Sequence, residues 1–178
     1  MKYLIASDIH GDKTSAERIV KILKEENANK LILLGDIYNH GPRNNLPDGY
    51  SPMDVASVFN KVKEDLIVIK GNCDSAVDTM ISDFDFIEDM CLVVQDKTLF
   101  LTHGHVYNID NPPKTKYDAV IYGHLHTGFI KEKDGTIYIN AGSTSLPKCE
   151  TEKSYLLIDG KTVYLKSLDN NLIQKIDL

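Results

Sequence analysis

Apolar residues in this chain come in short runs that stop abruptly at polar ones. Residues 2–7 (KYLIAS) and 31–35 (LILLG) are two such runs, the pattern of strands buried on both faces. Between them Ala16, Ile19, Val20 and Leu23 recur at i, i+3, i+4 and i+7 while Lys21, Lys24 and Glu25 take the other side, which predicts an amphipathic helix. The pattern then repeats. Ser51-Pro52 with Asp54 marks a second helix start, Val55, Val58, Phe59 and Val62 form its stripe, and LIVIK at 66–70 supplies the next strand. Two such crossovers predict a mostly parallel sheet covered by helices.

The second half has a different texture, with strand-like runs at 91–95, 98–102, 118–122, 136–140, 154–158, 162–167 and 172–177. Asp134-Gly135 and Asp159-Gly160 are two-residue turn signals, so hairpins are expected there. No fixed-period repeat or linker-like stretch divides the chain, and 178 residues suffice for one core, so residues 1–178 are expected to form one domain. An edge strand among the C-terminal hairpins would be open to pairing with a second copy, which makes a homo-oligomer compatible with the pattern.

Composition narrows the function classes. A formal charge of −6 provides no general track for nucleic acid and no attraction to an acidic membrane. Cys73, Cys91 and Cys149 are odd in number and lack CxxC spacing, the usage of a reducing compartment. MKYLIAS is too short for a signal peptide and meets Asp8 at once, and no apolar stretch approaches bilayer length. A soluble cytoplasmic protein with no membrane partner is the expectation.

The chemistry sits at the polar residues that end each apolar run. Asp8 and His10 come after the first run, Asp36 after the second and Asn72 after the third, while later runs end at His103 and at His124 and His126. Five of the six histidines fall in three of these motifs, and open α/β sheets place their ligand crevice at strand C-terminal ends, so the groups should converge. Seven candidate ligands exceed what one tetrahedral ion takes and suit two divalent ions, with Asp36 shared. Two carboxylates against two dications leave a net charge near +2, which favours a phosphate oxyanion and acidifies a bound water. Nitrogen and oxygen donors without thiolate point to manganese first, with zinc, iron, cobalt or nickel as alternatives.

The order DxH, GD, GNCD, H and GHxH resembles the calcineurin-like metallophosphoesterases. The longer strings GDIYNHGPRNNLPDGY, GNCDSAVD, LFLTHGHVY and NAGSTSLPK are similar to those of small bacterial phosphodiesterases of the YfcE type. The resemblance spans nearly the whole chain. It implies a four-layer α/β/β/α sandwich of two mixed sheets flanked by helices, with Asp8, His10, Asp36 and His126 on one ion and Asp36, Asn72, His103 and His124 on the other. It also implies hydrolysis of a small phosphodiester by a hydroxide held between the metals. A phosphomonoesterase with the same site is one alternative, and a non-catalytic scaffold like the retromer subunit that shares the fold is another.

Further residues enter with open roles. Cys73 stands where many members of the superfamily carry a proton-donating histidine, and reads either as a weak donor or as a small buried hydrophobe. Asp74 reads either as an orienter of His103 or another ligand, or as a helix cap. The catalytic candidates are therefore Asp36, Asn72, Cys73 and Asp74. His40, Arg43 and His105 are the substrate-binding candidates, and the resemblance implies that Asn140, Gly142 and Ser143 line the rim if the NAGS turn returns to the crevice.

Overall fold

A computed structural model describes residues 1–178. The chain runs β1 (Lys2–Ala6), α1 (Lys13–Glu25), β2 (Lys30–Leu33), α2 (Pro52–Asn60), β3 (Leu66–Ile69), β4 (Phe86–Ile87), β5 (Met90–Val94), β6 (Lys97–Leu101), β7 (Ala119–Tyr122), β8 (Phe129–Lys133), β9 (Thr136–Asn140), β10 (Ser154–Asp159), β11 (Thr162–Ser167) and β12 (Leu172–Asp177), with 3₁₀ turns at Lys63–Asp65 and Ala76–Met80. No helix is long and apolar enough to cross a membrane.

Local chemistry sets the helix ends. Asp12 caps α1 by accepting from the Thr14 amide at 3.1 Å. At the other end Asn27 turns left-handed, with φ +52°, and the Ala28 and Asn27 amides close back on the Leu23 and Lys24 carbonyls. That arrangement satisfies carbonyls the helix leaves bare, and a β-branched residue at 27 would resist it. Helix α2 starts at Pro52, whose missing N–H costs nothing at the first helical position.

The strands form a seven-stranded sheet in the order β12-β11-β10-β1-β2-β3-β4 and a five-stranded sheet in the order β5-β6-β7-β9-β8. The early crossovers give the parallel pairs β1–β2, β2–β3 and β3–β4, but β10 joins β1 antiparallel. The expectation of a mostly parallel sheet therefore needs correcting: the larger sheet is mixed, because the C-terminal hairpins extend it from the β1 side. The fold is the two-mixed-sheet α/β sandwich.

Alternation along the strands sorts the apolar side chains into three layers. Leu4, Ala6, Leu31, Leu33 and Val68 pack against Ala16, Ile19, Val55 and Phe59 of the helices. Ile5, Ile32, Ile69 and Leu156 face Leu99, Leu101, Ile121 and Ile139 between the sheets. Each such fully buried side chain contributes about 1.5–3 kcal/mol, so the inter-sheet layer fixes how the two sheets meet. Phe100, Val120, Tyr122 and Tyr138 point the other way, where Tyr107, Ile109 and Tyr117 cover them. That outer cover is the irregular segment 102–118 rather than a helix, so the helices of the sandwich lie on the larger sheet.

Candidate metal centre

Parallel pairing puts the C-terminal ends of β1, β2 and β3 on one edge, and β6–β7 pairing does the same in the second sheet. The loops continue the ladder: Asp8 and His10 amides donate to the carbonyls of Gly35 and Asp36 at 3.1 and 2.9 Å, and the Gly123 amide donates to the His103 carbonyl. At those ends Asp8, His10, Asp36, His124 and His126 all adopt left-handed backbone, with φ between 49° and 63°. Residues other than glycine hold that conformation only where surroundings impose it, and such strain gathers at functional sites. Here it turns each side chain off its strand and into a common space.

Two groups built on paired imidazoles result, one formed by Asp8, His10 and His126 and one by Asp36, His103 and His124; a third, His10 with Asp36 and Cys73, overlaps both. Asp36 sits between them, its Oδ2 3.8 Å from His10 Nε2 and its Oδ1 3.5 Å from His103 Nε2. Asp8, His10, Asp36, His103 and His126 are buried, His124 is half-buried, and Asn72 is exposed with its Oδ1 3.0 Å from His103 Nε2.

The imidazoles are oriented by main-chain carbonyls. Nδ1 of His10, His103 and His126 lies 2.7 Å from the oxygens of Asn39, Leu34 and Leu146 respectively. A carbonyl only accepts, so each Nδ1 carries a proton and each Nε2 points inward, its lone pair free for a metal once the ring is neutral. His10 Nε2 and His126 Nε2 then face each other at 3.0 Å, and Asp8 Oδ1 is buried beside them with no hydrogen-bond partner. Lone pairs brought together this way repel unless a cation lies among them, and nitrogen ligands on a tetrahedral ion approach to a similar separation. The residues present therefore fit divalent metal ions.

Charge state follows the same geometry. Burial raises the carboxyls of Asp8 and Asp36, but neighbouring imidazoles more than reverse this and hold both below the usual carboxylate range. Burial lowers His103, yet Asp36 and Asp8 push it up to about 9. Burial and the His103 charge draw His124 down to about 4, which leaves it neutral and available as a ligand.

Hydrogen bonds to the main chain brace these groups from behind. The Asp74 carboxylate accepts from the amides of Asp36 (2.8 Å), Ile37 (2.8 Å) and Gly71 (2.7 Å), while burial pushes its carboxyl up to about 6. It therefore neither touches His103 nor caps a helix; Ser75 caps the 3₁₀ turn. Asp74 instead ties the loop after β2 to the loop after β3 through the main chain of Asp36. Ser143 and Ser145 hydroxyls donate to the Asp8 carbonyl at 2.7 and 2.9 Å, and Asn140 Nδ2 donates to Gly123 O at 2.6 Å. Asn140, Gly142 and Ser143 are thus buried beneath the site, a correction to their expected place at its rim.

Gly123 joins the sheets. The His124 amide donates to Asp8 Oδ2 at 2.9 Å, and a Cβ on Gly123 would collide with Ser7 Oγ and Asp8 Oδ2. Gly123→Ala is expected to displace Asp8, cut metal affinity about 10- to 100-fold and destabilise the fold by about 1–3 kcal/mol. Metal content per chain and thermal melting check this; wild-type values for both would contradict it.

Above the ligands opens a cavity of about 420 Å³ lined by Asp36, Asn39, Gly41, Pro42, Arg43, Asn44, Asn72, Cys73, His124, His126 and Lys148. Arg43 and Cys73 stand in it. His40 does not: its ring is edge-on to Tyr50 at 5.6 Å and its Nδ1 is buried without a partner. His105 also lies outside the lining, exposed, with its ring 5.5 Å from that of His103. Asn39, Asn44 and Lys148 were not singled out by motif, although the strings GDIYNHGPRNNLPDGY and NAGSTSLPK contain them. Lys148 is placed by its amide, which donates to His126 O at 2.9 Å.

Comparison with known proteins matches this architecture. Residues 1–162 match the calcineurin-like phosphoesterase superfamily domain. The chain is 38% identical over 175 residues to phosphodiesterase YfcE of Escherichia coli strain K12, covering 97% of this chain and 95% of that one. The solved structure of YfcE, a phosphoesterase from E. coli, superposes with a TM-score of 0.95 at 36% identity over 99% of each chain. Vacuolar protein sorting 29 from Cryptosporidium parvum has the same fold, with a TM-score of 0.67 at 18% identity over 99% of this chain and 98% of that one. With its ligand-bearing strand ends, its sandwich and this match over most of its length, the chain belongs to the calcineurin-like phosphoesterase superfamily.

Proposed function

We propose that this protein is a two-metal phosphodiesterase acting on small organic phosphodiesters, with manganese as its leading metal. The observation that carries this is the position of Asp36, whose two oxygens face two separate imidazole-bearing ligand groups on the floor of one cavity. The phosphodiesterase name of the E. coli relative supports the substrate class.

Asp8, His10, Asp36 and His126 would hold the first ion, and Asp36, Asn72, His103 and His124 the second. When bound, the pair would polarise phosphoryl oxygens and supply a nucleophilic water at neutral pH. The chain's own share is positional. Carbonyl-fixed imidazoles and the Asp74-held loop set the ligand geometry before substrate arrives, so little reorganisation is left for the reaction. Arg43 and Lys148 draw the anion into the cavity. The Cys73 thiol is pushed up to about 12 by burial and the Asp36 charge, so it keeps its proton and supplies no nucleophile.

The test uses manganese-loaded protein with bis(p-nitrophenyl) phosphate and p-nitrophenyl phosphate. Faster release from the diester, abolished by chelator and restored by metal, is the expected result. No metal-dependent release from either substrate would overturn the assignment. A faster monoester would instead favour the phosphomonoesterase, since Arg43 and Lys148 also suit the second charge of a monoester dianion. Metal-loaded protein that turns over neither substrate would favour the non-catalytic scaffold.

A further inference from the structure

We infer that Lys148 and Arg43 form a cationic clamp that selects phosphodiesters bearing a second anionic group, a carboxylate or a further phosphate, beside the phosphorus that reacts. This rests on the phosphodiesterase assignment and extends it to the substrate's flank.

Three features of the cavity lead there. Its lining holds one hydrophobic residue, Cys73, besides Pro42, so nothing in it rewards a lipid chain or a bare aromatic ring. Its charged lining groups other than the histidines are Asp36, which faces the metal ligands, and the cations Arg43 and Lys148. Neither cation makes an ion pair or a side-chain hydrogen bond within the protein, whereas the half-buried Lys2 and Lys13 and the exposed Lys161 pair with Asp159, Asp54 and Asp96. Both stand ready for an outside anion.

Their placement is built rather than incidental. Lys148 follows Leu146, whose carbonyl orients His126, and its own amide binds the His126 carbonyl, so the lysine is indexed to a metal ligand by two main-chain contacts. Arg43 lies in the turn closed by the Asn44 amide on Gly41 O and by Asn44 Nδ2 on His40 O at 2.8 Å. The two cations thus come from separate loops, after β2 and after β9, and meet at one cavity. A diester monoanion already has two metal ions to neutralise it. Two further cations exceed its need and match a substrate with additional negative charge, which a guanidinium fork and an ammonium both bind well.

The test compares diesters of different flanking charge on manganese-loaded protein. The probes are bis(p-nitrophenyl) phosphate (neutral flank), p-nitrophenyl phosphorylcholine (cationic flank), its analogue with a carboxylate replacing the trimethylammonium, and, for binding alone because its P–O–P link is an anhydride, ADP-ribose (a second phosphate). The expected kcat/KM order is anionic above neutral above cationic. Lys148→Met should lower kcat/KM for the carboxylate diester, mainly through KM, by roughly 5- to 20-fold more than for the neutral diester, and Lys148→Arg should restore much of it. Binding of ADP-ribose to metal-free protein should weaken in the same variant, a readout independent of turnover. Binding of the carboxylate analogue beside that of ADP-ribose tells which anion is preferred.

Equal or higher efficiency on the cationic diester would overturn the clamp while leaving the phosphodiesterase standing. A Lys148→Met loss concentrated on p-nitrophenyl phosphate would also overturn it, by giving the lysine to a monoester oxygen. Absence of activity on every diester would remove both.

Discussion

Asp36→Ala is expected to lower metal-dependent turnover of bis(p-nitrophenyl) phosphate by about 10²- to 10³-fold, the scale of losing a preorganised electrostatic group at the reacting centre. The reason is geometric. The Asp36 oxygens face His10 on one side and His103 on the other, across the gap between the two imidazole pairs. Deleting it removes a donor from both ion positions and takes away one of the two buried carboxylates that offset the metals' charge. The fold should survive, because Asp36 lies at a strand end and its side chain makes one main-chain hydrogen bond, from the Cys73 amide at 2.8 Å. That bond carries about 0.5–1.5 kcal/mol. Metal analysis and steady-state kinetics on the same preparation separate the effects: near-wild-type circular dichroism with fewer than two ions per chain is expected. Turnover within about tenfold of wild type would mean that Asp36 does not link the two groups, and the dinuclear reading would fall.

The converging motifs were legible because each one ends an apolar run, and the buried strand carries its information in the run itself. Where that signal thins, the sequence says less. β8 reads FIKEK, with Lys131, Glu132 and Lys133 exposed at the edge of the smaller sheet, so no alternation marks it even though the Asp134-Gly135 turn beside it is plain. β4 is two residues long and exists only through its pairing with β3. The outer face of the smaller sheet shows the same limit: Tyr107, Ile109 and Tyr117 cover it from a segment with no periodicity to read. His40 and His105 illustrate the limit at the site. Residue type and nearness to a motif nominate them, but side-chain direction depends on loop turns set by long-range hydrogen bonds, and these send His40 toward Tyr50. Lys148 shows the converse, since its position depends on an amide bond to His126 across 22 residues of sequence.

Asp74→Ala tests the strongest of those long-range bonds. One buried carboxylate accepts three amides, from Asp36, Ile37 and Gly71, and so holds the loops after β2 and β3 in register. Alanine leaves three N–H groups without an acceptor in a place that water reaches poorly, at about 1 kcal/mol or more each. The expected loss is about 3 kcal/mol, or roughly 6–12 °C in melting temperature for a chain of this length. The measurement belongs on chelator-treated protein at pH 8, where the carboxylate is ionised and bound metal adds nothing to the melting curve. Asp74→Asn keeps an acceptor oxygen and should fall between wild type and alanine. On metal-loaded protein the alanine variant should also bind manganese about 10- to 100-fold more weakly, as for other partners that orient ligands from behind. A melting temperature within about 2 °C of wild type would show that the loops hold themselves. The Asp36 backbone would then owe its left-handed turn to the strand ladder alone, through the His10 amide on its carbonyl, and Asp74 would be a bystander to the site.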